Sequence, residues 1–194
     1  MKPILIVYAT REGHTRLVAQ HIAEFLRERR FPVELYDARD ADRPRLDGFS
    51  AVLLAASLHL AKHEKEMEQF IARERRVLAT LPSAFLSVSL SATAAHDSTR
   101  ALEHRLQTLR ELERCSERLF EKARWRPGQT EFVAGALMYT HYNPLVRWVM
   151  KRIARKEGAS TDTTRDHVLT DWPALDRFVE RFVASFAPEL RAAG

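Results

Sequence analysis

Six residues near the start of the chain, Thr10, Arg11, Glu12, Gly13, His14 and Thr15, have the types and spacing of an anion-binding turn. An apolar run over residues 3–9 leads straight into them, and a helical pattern leaves them. A turn placed there points backbone N–H groups and the positive end of a helix at one spot. Thr10 and Thr15 add hydroxyls, and Gly13 permits close approach or a positive φ. An ordinary strand-to-helix turn capped by Thr uses the same residue types. Neither GxGxxG nor GxxxxGK[ST] is present, so the loop lacks the glycine patterns of dinucleotide and nucleoside triphosphate sites.

These residues need a scaffold, and the chain reads as alternating strands and helices around a parallel sheet. Strands are expected over residues 3–9, 31–36, 51–56, 83–90 and 130–138. The wholly apolar 51–56 segment belongs at the centre. Helices are expected over 14–29, with Val18, Ile22, Phe25 and Leu26 inward, over 64–78, and over 172–186. The connection 92–128 is too long for a bare loop and reads as a helix. In it, Arg110, Arg114, Arg118 and Lys122 run beside Glu113, Glu117 and Glu121, the pattern of an ion-paired, solvated face. The expected fold class is α/β: a flavodoxin-like three-layer sandwich with a five-stranded parallel sheet in the order 2-1-3-4-5, forming one domain over residues 1–194. In that order ligands bind at the carboxyl ends of the strands. Residues 10–15, 57–63 and the segment after Ser87 would then share one edge.

Charge is localised. The chain carries 31 Lys and Arg against 26 Asp and Glu, a net +5. Residues 98–126 hold eight bases against five acids, and residues 142–157 hold five against one. The second segment opens with Asn143-Pro144, a cap and first helical residue. It sets Leu145, Val146, Val149, Met150 and Ile153 on one arc and Arg147, Lys151, Arg152 and Arg155 largely on the other. With Trp148 beside the bases, this cationic amphipathic helix suits an anionic membrane surface. Packing of its apolar arc on the protein itself is the alternative. No nucleic-acid motif accompanies the basic charge, so no nucleic-acid partner is expected. The eight histidines are scattered, His59 and His63 lack an HExxH frame, and no metal is expected. The single Cys115 gives neither a disulfide framework nor a thiolate site, which suits a reducing compartment. Neither a signal peptide nor a bilayer-spanning segment is evident.

The T-x-x-G-x-T spacing resembles the flavodoxin loop that wraps the phosphate of FMN. Further marks follow in order: residues 82–90, Trp125-Arg126-Pro127, residues 134–139, Thr161-Asp162-Thr163 and Thr170-Asp171-Trp172. Together they resemble the flavodoxin-type, quinone-dependent protoporphyrinogen oxidases. That resemblance implies FMN as cofactor, protoporphyrinogen IX as substrate, a membrane quinone as acceptor, and a cytoplasmic protein lying on the inner face of the cell membrane. It also implies an insertion in the fifth-strand region, here about residues 139–165. Residues 10–15 are the expected phosphate contacts. Ala56, Ser57, Leu58, His59, Ser87, Val88, Ser89, Leu90, Ser91, Gly135, Ala136, Leu137 and Met138 are the expected ring contacts. Arg147, Lys151 and Arg152 are expected at substrate propionates or lipid headgroups. The stretch Leu58-His59-Leu60-Ala61 and Met138 carry fewer aromatic and basic residues than that family's pattern, which bears on the substrate. An NAD(P)H:quinone reductase and a non-enzymatic electron carrier are the alternatives, the latter disfavoured by the positive charge. The sequence leaves the oligomeric state and the catalytic acid or base open, with His59, His63 and His141 equally placed.

Overall fold

The computed structural model describes residues 2–40, 44–137, 139–141, 144–156 and 160–187. In chain order, β1 is Ile4–Ala9, α1 His14–Glu28, β2 Val33–Asp37, β3 Ala51–His59, β4 Lys62–His63, α2 Lys65–Leu78 and β5 Ser83–Ser89. These are followed by α3 Ser91–His96, α4 Leu102–Ala123, β6 Gln129–Ala134, β7 Ala136–Leu137, α5 Pro144–Lys156, β8 His167–Val168 and α6 Trp172–Phe186. Five parallel strands form one sheet in the order β2-β1-β3-β5-β6, the expected 2-1-3-4-5 order once the short hairpin strand β4 is set aside.

Period-2 alternation divides the apolar side chains between two layers. Ile4, Ile6, Leu53, Ala55, Leu86 and Val133 face α1 and α6, where Val18, Ile22, Phe178 and Phe182 meet them. Leu5, Val7, Val52, Leu54 and Phe85 face α2 and α4, against Met67, Phe70, Leu119 and Phe120. Both sheet faces are therefore dry, which is why the central strands read as unbroken apolar runs.

Four sequence expectations need correction. The third strand does not stop at residue 56 but continues to His59 and folds back antiparallel, with Leu58 opposite His63 and His59 opposite Lys62. The 92–128 connection is two helices rather than one. Asp97 accepts from the Thr99 amide and hydroxyl, a local turn that competes with helix and breaks the run. The fifth strand ends at Ala134 rather than running to 138, because the chain turns off at Gly135. The second strand begins at Val33, two residues later than expected.

The segment beyond Gly135 is closed at its base by a two-stranded antiparallel ribbon, Ala136 opposite Val168 and Leu137 opposite His167. Inside it, Leu137, Tyr139 and Ala154 form a small buried cluster supported by Met150, Leu90 and Leu169. The Tyr139 hydroxyl donates to the Ser160 carbonyl at 2.9 Å, and Thr140 binds both oxygens of Asp166.

Candidate functional site at the carboxyl edge of the sheet

The loop after β1 forms because apolar residues end at Ala9 and Gly13 takes φ 92°, a left-handed conformation that starts α1. The Gly13 amide donates to Thr10 Oγ1 at 3.0 Å, while the Gly13 carbonyl receives the amides of Arg16 and Leu17. A Cβ at Gly13 would meet nothing within 4 Å, so the outer side of this turn is open. Thr10 and Thr15 are buried, whereas Arg11 is largely exposed.

His14 turns inward. Its Nε2–H donates to Thr170 Oγ1 at 2.8 Å, and that hydroxyl donates to the Ala134 carbonyl at 2.7 Å. The relay ties the loop to the end of β6 and fixes the ring tautomer, since Thr170 has spent its proton. Burial pushes His14 down to about 4, so the ring is neutral near pH 7.

On the neighbouring strands, three hydroxyls proposed for ring contact are engaged within the protein. Ser57 donates to Glu64 Oε1 at 3.0 Å, Ser87 pairs with His63 Nε2 at 2.9 Å, and Ser89 accepts the Ala92 amide at 3.2 Å to cap α3. They position the loops. What this edge presents to a flat ligand is main chain together with the half-buried Leu58, Leu90 and Ser91. His63 lies edge-on to Phe85, and burial, aided by the Arg118 charge, pushes it down to about 4. Gly135 donates its amide to the Ser89 carbonyl at 2.9 Å, and a Cβ there would lie 3.3 Å from the Ser89 backbone. Any other residue would push the two strand ends apart.

The hairpin between β3 and β4 turns at Leu60 and Ala61, with φ 48° and 60°. Both lie in the region that Asn-Gly normally fills, at a cost of roughly 1–2 kcal/mol per residue. Arg118 on α4 braces the turn by donating to the Ala61 carbonyl at 3.4 Å and to Cys115 Sγ at 3.1 Å. Leu60, at the tip, is 88% exposed.

At the amino end of α2, Glu64 is nine-tenths buried and gathers three partners. These are Ser57, Arg11 with a guanidinium nitrogen 3.6 Å from Oε2, and His59 with Nε2 4.0 Å from Oε1. Residue spacing marks Glu64 only as a helix start. Its acceptance of groups from both the first loop and the hairpin depends on tertiary contacts that residue spacing does not record. Thr170 was visible only as a mark of family resemblance.

In the segment after β6, Gly135, Ala136 and Leu137 lie beside the end of β5, while Met138 lies outside the described residues. On α5, Arg147 donates from Nε to the Tyr139 carbonyl at 3.1 Å and Lys151 is half-buried. Pro144, Trp148, Arg152 and Arg155 are exposed at helical spacing. Among the described residues no group of three or more His, Cys, Asp or Glu is arranged to hold a metal, and no helix is long and apolar enough to cross a membrane.

Residues 5–164 match the family described as Flavodoxin domain. The chain is 29% identical over 174 residues to a protein of Escherichia coli strain K12 named protoporphyrinogen IX dehydrogenase (quinone), covering 90% of this chain and 91% of that one. A protein of the same name from Leishmania major is 30% identical over 181 residues, covering 93% of this chain and 74% of the relative. Among solved structures, a short-chain flavodoxin associated with a bacterial microcompartment aligns with a TM-score of 0.52 at 14% identity, covering 96% of this chain and all of that one. Oxidised flavodoxin 2 from Bacillus cereus aligns with a TM-score of 0.50 at 14% identity, over 95% and 99% of the two chains. These structural likenesses bear on the fold alone, while the sequence matches reach further. The chain belongs to the flavodoxin-domain family, and within it to the quinone-dependent protoporphyrinogen IX dehydrogenases, flavin oxidoreductases of flavodoxin fold.

Proposed function

We propose that this protein is an FMN-dependent dehydrogenase that oxidises protoporphyrinogen IX to protoporphyrin IX and passes the electrons to a membrane quinone. The observation that carries this reading is the reach of the sequence correspondence. The match to the Escherichia coli dehydrogenase spans 174 of 194 residues, leaving twenty outside it. The segment closed by β7 and β8 is longer than that, so the similarity extends into the insertion as well as the sheet.

The residues present fit FMN. The turn at residues 10–13 opens outward at Gly13 and precedes the positive end of α1, which suits a phosphate. Thr10 holds the turn in shape, and Thr170, through His14, anchors it to β6. Main chain at residues 57–59, 87–91 and 135–137 lines the positions for the ring. When bound, FMN supplies a two-electron acceptor that takes hydride from a substrate carbon. The protein supplies orientation and charge. With His14 and His63 neutral, positive charge for substrate propionates comes from arginine and lysine, above all Lys151 and Arg152.

The exposed stripe Pro144, Trp148, Arg152 and Arg155 supports peripheral contact with an anionic bilayer at the inner face of the cell membrane, where a lipid-soluble quinone is accessible. Each base near such a surface contributes about 1 kcal/mol. The test is anaerobic: protein, FMN, protoporphyrinogen IX and a quinone, with porphyrin fluorescence followed against protein-free and flavin-only mixtures. Fluorescence growth that needs every component is expected. Absence of growth with FMN demonstrably bound refutes the substrate assignment.

A further inference from the structure

Among the histidines near the ligand edge whose side chains are described, only one stands beside a carboxylate. His14 and His63 are each tied through Nε2 to a hydroxyl and kept neutral by burial. His59 differs. Its Nε2 is sealed from solvent with no hydrogen-bond partner, and the 27% of the side chain that is exposed lies away from Nε2. The neighbour of that sealed nitrogen is Glu64 Oε1 at 4.0 Å, a carboxylate itself nine-tenths buried and steadied by Ser57 and Arg11.

A buried carboxylate behind one imidazole nitrogen, with the rest of the ring reaching a ligand edge, is the arrangement of an oriented base. The 4.0 Å gap exceeds a hydrogen bond, and such bonds commonly close only when the ligand is in place. Closing it needs a shift of about 1 Å. The strained turn at Leu60-Ala61, braced by Arg118, sits next to His59 in the hairpin.

We propose that His59 is the proton acceptor of the oxidation and Glu64 its positioning residue. This rests on the dehydrogenase reading above. In each two-electron round, a C–H bond at a bridge carbon breaks and both its electrons leave with the hydride to the acceptor. The macrocycle, now one positive charge richer, loses a proton, from a pyrrole N–H in the first two rounds and from the remaining bridge CH2 in the third, and the bonding pair left behind completes the new double bond. His59 takes that proton on Nδ1, its Nε2–H donating to Glu64, and the imidazolium then releases the proton to water. One hydride and one proton leave per round, so charge balances.

Two measurements test this. In FMN-free protein, ¹⁵N NMR of the neutral ring is expected to place the His59 proton on Nε2, facing Glu64, and Glu64→Gln to move the tautomer ratio toward that of free imidazole. In single-turnover oxidation with bound FMN, His59→Ala is expected to slow porphyrinogen oxidation about 100-fold or more. Added imidazole restores part of the rate, and FMN affinity changes less than threefold. His59→Gln serves as a second variant that keeps side-chain volume, and is expected to be slow without rescue. Wild-type rates in either variant, a His59→Ala loss that imidazole leaves untouched, or a free-imidazole tautomer ratio in the parent overturns the assignment. A parent protein that binds FMN but leaves porphyrinogen unoxidised overturns the dehydrogenase reading and this assignment with it. That outcome is distinct from failure of the assignment alone, in which the parent turns over and His59→Ala keeps pace.

Discussion

His14 and His63 make the stability of this protein sensitive to mild acid. In the folded protein burial pushes both down to about 4, with Arg118 adding to the effect at His63. In the unfolded chain each titrates near 6.5. Between those values the unfolded chain binds protons that the native state refuses, so stability is complete above about pH 6.5 and falls as pH falls toward 4. At pH 5 each ring lies about 1.5 pH units below its unfolded value, which at about 1.36 kcal/mol per unit is about 2 kcal/mol. The pair then costs about 4 kcal/mol. Asp37, Asp97 and Asp162 are held below the usual carboxylate range, by Arg39 for the first and chiefly by threonine hydrogen bonds for the others. Their stabilisation is lost only below about pH 4, outside the window from 6.5 to 4.5 in which His14 and His63 act. Urea unfolding of FMN-free protein is the assay. With a slope near 2 kcal/mol per molar, the midpoint should drop by about 2 M between pH 7.5 and 5.0. The double variant His14→Gln, His63→Gln, which keeps an amide donor at each site, should lose most of that dependence. A midpoint flat over this range, or an equally steep one in the double variant, refutes the argument.

Thr170→Val removes a hydroxyl of matching shape and leaves His14 Nε2–H and the Ala134 carbonyl unpaired in a buried site. A loss of about 2–4 kcal/mol is expected, visible as a melting temperature lowered by about 10 °C, with Thr170→Ser retaining most of the stability. Replacing Trp148 and Arg155 with Ser and Gln should weaken salt-sensitive co-sedimentation with anionic vesicles while leaving oxidation of detergent-dispersed substrate unaffected. Unchanged sedimentation removes α5 as the membrane contact. Replacement of Arg147, Lys151 and Arg152 with Gln should act more weakly on vesicles, because Arg147 is tied to the Tyr139 carbonyl and Lys151 is half-buried.

The sheet order was legible because residues 4–9 and 51–56 are apolar on both faces, and 83–89 is apolar on one face with only serines beside Phe85 on the other, a pattern that a doubly covered parallel sheet explains. The first loop was legible for the same reason in reverse, since polar residues and one glycine interrupt that pattern. The hairpin was not, because Ser57 and His59 look like loop residues and the turn is Leu-Ala where Asn-Gly would have signalled it. Strands β7 and β8 have two residues each, too few to show any alternation. Residue types near the site were visible, but not the inward commitments of Ser57, Ser87 and His14. Each pairs with a group between 7 and 156 positions away, and only the fold brings these together.

The place of the insertion follows from how β6 ends. This strand is the open edge of the sheet, and an open edge exposes carbonyls that recruit foreign strands. His96 donates to the Phe132 carbonyl at 2.9 Å and Thr170 to the Ala134 carbonyl at 2.7 Å, so two side chains occupy positions another strand would take. Gly135 then lets the chain press against the end of β5 and leave the sheet, and Leu169 returns to it by donating its amide to the Gly135 carbonyl at 3.1 Å. One residue later Thr170 both seals the edge and, through His14, sets the first loop. Placing the inserted segment at this point thus couples three requirements in a single hydroxyl: an edge closed to pairing, a ribbon held beside the ligand edge, and a phosphate turn fixed in shape. An insertion between other strands of this sheet would need a separate residue for each.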